Sequence, residues 1–460
     1  MAKLALTGGS PVRTKIFPQS NTIGEEEKNA VMKVLNSGNL SQYVGSWNPD
    51  FSGGPMVKEF EKKWAEALEV EFCMAVNSNT SGLYSSIGAC DIGPGDEVIV
   101  SPYTMTAGAI APLIYGAVPV FADIDEDTFC LDPKSIEANI NERTKAILLV
   151  HICGHPSEMD VIMAIAKEHN LKVIEDCAQS PMSVYKGKFV GGIGDVGVFS
   201  LNYHKHIHTG EGGMIVTNDP VLAEKIQLIR NHGEAVVEGK KTKDIWNTFG
   251  FNYRMPEIEA AIGIEQLKKL PDLIERRIEN ANFLSEIIGK LPGITPPVVK
   301  DGCKHVYYQQ TFKFNKEITG IHRNTFVDAL KAELPTMVLR ESTPIIGSGF
   351  APPLYLQPIY QQRLHKCSFN CPRYEGAVSY ERGLCPVTER MFFEEVFTHE
   401  FMRPSFSKTD LEDVVNAYHK VYENMNELKE YSTPKFSSTA EFCLIHALQY
   451  FPQSFASTSG

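Results

Sequence analysis

No run of about 18 uncharged apolar residues occurs in this 460-residue chain, so no segment is expected to span a bilayer. The longest apolar stretch approaching that length, Phe442 to Phe455, is broken by His446, Gln449, Pro452 and Gln453. The opening residues reach Gly8-Gly9 after only a few apolar positions, too few for a secretory apolar region, and a cytoplasmic location is expected. A surplus of positive charge is also missing. Against 56 Asp and Glu stand 44 Lys and Arg, a net charge of -12, which removes the electrostatic case for nucleic acid or an anionic membrane as main partner. There is no paired C-x-x-C. The 10 cysteines are scattered, several inside apolar runs, and are expected to be reduced thiols. His365, Cys367, Cys371 and Cys385 cluster without metal-site spacing, so no metal is expected. No G-x-G-x-x-G follows the first parallel strand, which argues against a dinucleotide-binding dehydrogenase. Internal repeats are absent too.

What is present is an ordinary globular composition, 43% hydrophobic and 22% charged, in a chain long enough for two or three domains. Short β-branched runs alternate with helical patterns. Strands are expected at Glu97–Val100, Val118–Ala122, Lys145–His151, Leu171–Asp176, Val196–Ser200 and Gly213–Thr217. Helices are expected at Ala107–Tyr115 and Asp160–His169. Near-continuous apolar strands separated by helices imply an α/β fold with a mostly parallel sheet covered on both faces. Such a sheet binds ligands beyond the carboxyl ends of its strands, which singles out Asp176, Ser200 and the segment Ser101–Thr104. From Glu257 the pattern turns to long helix, expected to stop at Leu270 before Pro271 and to resume from Asp272 to Leu291. The stretch Leu334–Val387, rich in Pro, Gly, Ser and aromatics, is expected to be a long functional loop region.

The most informative segments are Val173-Ile-Glu-Asp-Cys-Ala-Gln179 and Phe199-Ser200 with the following Lys205 and Gly210-Glu-Gly-Gly213. A carboxylate at one strand's end, then a hydroxyl and a lysine after a nearby strand, is what pyridoxal phosphate needs. The carboxylate keeps the pyridine nitrogen protonated, the lysine forms the imine, and the hydroxyl binds phosphate. Taken singly, Asp176 reads as an ordinary helix cap and Lys205 as one of many surface lysines. Asn77-Ser-Asn-Thr-Ser-Gly82 opens a helix with small hydroxyl residues, offering unpaired N–H groups to a phosphate or simply capping the helix.

Together these motifs resemble the DegT/DnrJ/EryC1/StrS family of pyridoxal-phosphate sugar aminotransferases. The likeness extends over Gly8-Gly-Ser-Pro-Val-Arg13, Ile23-Gly-Glu-Glu-Glu27, Ile92 to Val100, Val118 to Asp125, Arg143-Thr-Lys-Ala-Ile147, and Phe251-Asn-Tyr-Arg-Met255 before Glu257-Ile-Glu-Ala-Ala261. It implies transferase fold type I, with a large domain built on a mostly parallel seven-stranded sheet and a smaller α+β C-terminal domain. The expected division is an N-terminal arm and first helix over 1–55, the cofactor-binding domain over 56–265, the small domain over 266–430 and a tail over 431–460. It further implies that Lys205 is the Schiff-base lysine and moves the proton, and that Asp176 pairs with the pyridine nitrogen. Gln179 would lie against the ring, and Thr80, Ser81 and Ser200 would hold the phosphate. Asn252 would reach the phosphate of the neighbouring subunit in a homodimer with shared active sites.

Three positions depart from the family pattern. Met105 stands where an aromatic commonly stacks on the cofactor, so either its thioether or Tyr103 takes that place. Leu201 replaces an aromatic after the phosphate serine. Asn79 replaces a small residue and either crowds the phosphate loop or adds a donor. A branch of the family with histidine in the lysine slot performs dehydration. Here His204 and His206 flank the slot, but Lys205 occupies it, which favours transamination. On the substrate side the candidates are Tyr43, His151, His232 and Tyr253, with a structural role open for Tyr43, His151 and His232. Arg276-Arg277 is expected to be a solvated helix face. The expected reaction moves an amino group from glutamate or glutamine, through pyridoxamine 5'-phosphate, to a keto-sugar, expected to be nucleotide-linked. A cyclitol ketone is the rival acceptor, and a sugar dehydratase or a non-catalytic relative are the rival classes.

Overall fold

The structure, a computed structural model, describes residues 3–338 and 345–431. The tail from 432 onward, with Cys443 and the apolar stretch 442–455, lies outside the described residues.

In chain order the strands are β1 (Phe72–Val76), β2 (Glu97–Val100), β3 (Val118–Phe121), β4 (Thr144–Val150), β5 (Lys172–Asp176), β6 (Val184–Tyr185), β7 (Lys188–Phe189), β8 (Val196–Ser200) and β9 (Gly213–Thr217). They are followed by β10 (Ile294–Thr295), β11 (Cys303–Lys304), β12 (Gln310–Phe314), β13 (Ile346–Ser348) and β14 (Val396–His399). Seven strands form one sheet in the order β1-β9-β8-β5-β4-β2-β3. All pairs are parallel except the two made by β9, which runs antiparallel to β1 and β8.

Side chains alternate across this sheet, as the pleat requires. Ile99, Ile147, Leu149 and Val173 face a core with Phe60, Trp64, Ile162 and Ile264. Val98, Val100, Leu148 and Ile174 face another with Leu83, Ile87, Leu113 and Ile226. Both faces are therefore covered by helices. Each fully buried Leu, Ile or Val contributes roughly 1.5–3 kcal/mol, so the sheet's position is strongly fixed.

The helix Glu257–Ile288 corrects one expectation: it runs unbroken through Pro271. Proline removes one N–H and presses on the carbonyl of Leu267, four residues back. Packing on both sides overrides that cost. Ile264, Leu267, Leu270 and Ile274 are held in the large-sheet core, while Ala281, Leu284 and Ile288 are held in a second core. Arg277 is a further correction. It is buried rather than solvated, and donates to the carbonyls of Tyr307 (3.0 Å) and Tyr308 (3.2 Å).

The second core lies on an antiparallel sheet ordered β10-β12-β14-β13, with Phe312, Phe326, Phe397, Val414 and Tyr418 beneath it. Leu4 and Phe17, near the start of the chain, are buried in the same core. A small three-stranded sheet, β11-β6-β7, links the two regions. The stretch expected as a loop region over 334–387 contains β13 and three short helical pieces at Leu354–Leu356, Pro358–Gln361 and Lys366–Phe369; residues 339–344 lie outside the described residues. Beyond β13 it folds back on the large sheet. Tyr355, Tyr360 and Tyr380 surround Phe121 on β3, and the Tyr380 hydroxyl donates to the Pro119 carbonyl at 2.7 Å. It thereby covers an edge strand that would otherwise present unpaired apolar surface. Among the described residues, no helix is long and apolar enough to cross a membrane.

Candidate active site

The site is built where β5, β8 and β9 meet the start of helix Asn79–Ala89. That helix begins after Ser78, whose hydroxyl accepts from the Ser81 N–H at 3.1 Å, while the Ser81 hydroxyl donates to Asn77 Oδ1 at 2.7 Å. Two glycines allow the close approach. A Cβ on Gly213 would lie 2.6 Å from the Ser78 carbonyl carbon, and one on Gly82 would lie 2.5 Å from Val198 Cγ1. The helix start, with its unsatisfied N–H groups, therefore rests directly on the strand ends.

Asp176 closes β5 and is only 6% exposed. Its Oδ1 accepts from the Ala178 N–H (3.0 Å) and from Asn79 Nδ2 (3.3 Å). Among the described residues no donor reaches Oδ2. Burial pushes this carboxyl's pKa up, opposed by the Ala178 N–H, the Lys205 charge and the Asn79 amide.

Lys205 sits in the loop between β8 and β9, half-buried, with its N–H on the Asn202 carbonyl at 2.9 Å and its Nζ 4.4 Å from the centre of the Tyr308 ring. Burial lowers its pKa to about 8, against the opposing pull of Asp176 and Glu400. The loop is tied at several points. Leu201 N–H donates to the Gly212 carbonyl (2.9 Å), Asn202 Nδ2 to Glu211 (2.8 Å), and buried His206 Nε2 to the Val306 carbonyl (2.9 Å). Buried Asn202 Oδ1 has no partner. Gln179 accepts the Cys153 N–H at 2.6 Å, and the Cys153 carbonyl accepts the Tyr308 N–H at 2.7 Å, so one turn sets both side chains.

The structure thus brings Asp176, Lys205, Ser81 and Ser200 onto one set of strand and helix ends, with Thr80 half-buried in the helix's first turn and Gln179 three residues beyond Asp176. The Ser200 hydroxyl accepts from the Asn202 N–H at 3.3 Å. Met105 is 67% exposed, whereas Tyr103 is fully buried against Phe129 and Phe350 and so is not available for stacking. Asn252 is exposed and lines a cavity of about 440 Å³ with Asn77, Glu211 and Arg254.

Other candidates are placed differently. His151 is fully buried with both ring nitrogens engaged within the fold, Nε2 with Glu175 (2.9 Å) and Nδ1 accepting from the Ser157 N–H (2.9 Å). The Tyr43 ring lies under the Arg230 guanidinium at 5.2 Å, and its hydroxyl is buried without a partner among the described residues. Tyr253 stacks on Phe251 at 4.8 Å, and burial pushes its hydroxyl up to about 12. His232 is partly exposed; its N–H donates to the Phe251 carbonyl and its ring lies 3.9 Å from Glu234. Its contacts do not run to Lys205 or Asp176.

Sequence patterns do not point to Tyr308 and Glu400, which act on Lys205 from far along the chain and carry no local signal. Asn79 was visible as a departure from pattern, but its bond to Asp176 was not. Among the described residues one group of metal-ligating types converges, His151, Glu175 and Cys177. Both Glu175 oxygens are already occupied, by His151 and by the N–H groups of Gly191, Ile193 and Gly194.

A carboxylate oxygen without a donor, an amine held near neutrality, an orphaned amide oxygen and a helix N-terminus are the donor and acceptor set that fits pyridoxal phosphate. Comparison with known proteins agrees. The profile of the DegT/DnrJ/EryC1/StrS aminotransferase family matches residues 21–418. The spore coat polysaccharide biosynthesis protein SpsC of Bacillus subtilis (strain 168) is 33% identical over 408 residues, covering 86% of this chain and 94% of its own. The L-glutamine:2-deoxy-scyllo-inosose aminotransferase of Streptomyces paromomycinus is 31% identical over 432 residues, covering 91% of this chain and 97% of its own. The crystal structure of DesI with its TDP-sugar product superimposes with a TM-score of 0.76 at 27% identity, over 92% of this chain and 97% of that one. The chain therefore belongs to the DegT/DnrJ/EryC1/StrS aminotransferase family and is a pyridoxal-phosphate-dependent aminotransferase.

Proposed function

We propose that this aminotransferase moves an amino group from glutamate or glutamine to the ketone of a nucleotide-linked sugar, in the cytoplasm, as a homodimer with shared active sites. Pyridoxal phosphate, when bound, supplies a carbonyl that exchanges with amines and a ring that takes up electrons. The rest falls to the chain's own residues. Lys205, neutral above about pH 8, acts as the nucleophile toward the cofactor and, once released, as the base that moves the proton at the substrate carbon. Asp176 would offer Oδ2 to the ring nitrogen and keep a proton there. Gln179, whose Oε1 accepts the Cys153 N–H, would border the ring, and the Met105 thioether would take the place of a stacking aromatic. Thr80, Ser81 and Ser200 hold the phosphate together with the helix N-terminus. The paired features that carry this reading are the Lys205 amine lowered to about 8 and the Asp176 carboxylate with one oxygen left over.

Asn252 is assigned to the phosphate of the partner subunit. Supporting this, Asn252 is exposed, and so are the large apolar side chains of Ile245, Trp246 and Phe249 just before it, a surface suited to a second copy. Tyr253 and His232 flank the same segment and are kept on the substrate side. The large domain over 56–265 and the small domain over 266–430 form the two walls, with the segment around Tyr355 to Tyr380 returning to the large one.

A cyclitol ketone is the second reading. It is favoured by the likeness to the inosose aminotransferase over 91% of this chain. The test is to incubate the loaded enzyme with glutamine or glutamate and, separately, a nucleotide-linked keto-sugar panel and scyllo-inosose, reading aminated product by mass spectrometry. Amination of a nucleotide sugar supports the first reading. Amination of inosose alone replaces it with the second.

A further inference from the structure

We infer that Asn79 is a positioning residue that orients the Asp176 carboxylate from the first turn of the phosphate-side helix, making the grip on the phosphate and the partner of the ring nitrogen one mechanical unit. This rests on the reading of Asp176 as the ring-nitrogen partner. Asn79 is the first residue of helix Asn79–Ala89, is nine-tenths buried, and is followed directly by Thr80 and Ser81. Its Nδ2 donates to Asp176 Oδ1 at 3.3 Å and to the Val198 carbonyl at 3.2 Å. An amide nitrogen carries two hydrogens, so both bonds are made at once. Because both partners are pure acceptors, only one orientation of the amide satisfies the site; the flipped amide would set its oxygen against a carboxylate and a carbonyl.

Asp176 and Val198 are paired neighbours on β5 and β8. The Asn79 amide therefore clamps the ends of both strands to the helix start. The second donor to Asp176, the Ala178 N–H, reaches the same Oδ1 at 3.0 Å. With both bonds on one oxygen, the carboxylate plane is fixed and Oδ2 is the oxygen turned free. An alanine or serine at position 79 is too short to span to Asp176. The carboxylate would then keep one backbone bond and gain rotational freedom, while the other charged neighbour, Lys205, and buried His151 still act on it.

The test loads the wild-type protein, Asn79→Ala, Asn79→Ser, Asn79→Asp and Asp176→Asn with ring-¹⁵N pyridoxal phosphate. It reads ring-nitrogen protonation by ¹⁵N NMR and cofactor affinity by absorbance titration of the apoprotein. Loss of a hydrogen bond to a charged group predicts that Asn79→Ala weakens cofactor binding about tenfold or more and moves the ring signal toward the unprotonated position. Asn79→Asp keeps the shape but sets an acceptor and a like charge beside Asp176, so it must be worse than alanine on both readings, the reverse of what a space-filling role gives. Should Asn79→Ala fail to fold, Asn79→Ser and Asn79→Asp carry the comparison. The inference is overturned if Asn79→Asp or Asn79→Ala keeps the wild-type ring signal and affinity while Asp176→Asn loses the ring proton. If Asp176→Asn itself leaves the ring protonated, the assignment of Asp176 falls, and the inference with it.

Discussion

At Lys205 two influences are unequal: burial disfavours the ammonium more than Asp176 and Glu400 favour it, leaving a pKa of about 8. Since the folded value lies below the ordinary lysine range, the amine becomes nucleophilic as pH rises through about 8. We expect the rate at which the apoprotein captures pyridoxal phosphate to rise with pH around a midpoint near 8, followed by visible absorbance. Lys205→Arg, which cannot lose its proton, removes covalent capture altogether. The linkage has a definite sign. Between about pH 8 and the ordinary lysine range the unfolded chain binds the extra proton, so this group makes the apoprotein more stable as pH increases. His151 calls for the opposite kind of experiment. Its ring nitrogens serve Glu175 and Ser157, so His151→Ala should cost about 1–3 kcal/mol in denaturant unfolding while sparing the absorbance of bound cofactor. Asp176 was legible in the sequence because strand-end position is a local property, and Lys205 because it follows the strand end at Ser200 within a short stretch before the Gly210-Glu-Gly-Gly213 run. His151 stands at a strand end too, but Glu175, its partner, lies on a neighbouring strand with its side chain on the opposite face from Asp176, and no spacing rule couples the two.

Strands were the most legible elements, because β2, β4, β5 and β8 are buried on both faces and their apolar runs have no rival reading. Helix Glu257–Ile288 was not, since Pro271 is a local stop signal and only long-range packing overrules it. Pro271 is exposed, with buried Leu270 and Ile274 on either side. Pro271→Ala restores an N–H for the Leu267 carbonyl, and the gain should exceed the lost stiffness of the unfolded chain. An increase of about 1 kcal/mol in unfolding free energy is expected, checked by urea titration. The segment from Leu354 to Cys385 was hidden for the same reason. Its composition is that of a loop, and its burial comes from Phe121, more than two hundred residues earlier. Truncating Tyr360, which sits edge-on to Phe121 at 5.1 Å, should cost roughly 3–5 kcal/mol if the segment is as much a part of the large-sheet core as Phe121 itself.

At the scale of the whole molecule the site has an open side. Asn252 and Met105 are exposed, and Ile245, Trp246 and Phe249 leave large apolar surface close in sequence to Asn252. A closed two-fold dimer would cover such a surface once on each copy and bring Asn252 of one copy toward the phosphate side of the other. That arrangement can be separated from a monomeric site by mixing two inactive proteins. Lys205→Ala lacks the amine; Asn252→Asp places a negative charge where a phosphate is to be held. Refolded together in equal amounts, half of the dimers carry one chain of each kind. In such a dimer, if Asn252 acts across the interface, the site bearing intact Lys205 receives the intact Asn252 of the partner subunit. One of its two sites then works, and about a quarter of wild-type activity should return. If Asn252 serves its own chain, every site in the mixed dimer lacks one group or the other and nothing returns, even when native mass spectrometry shows that mixed dimers have formed.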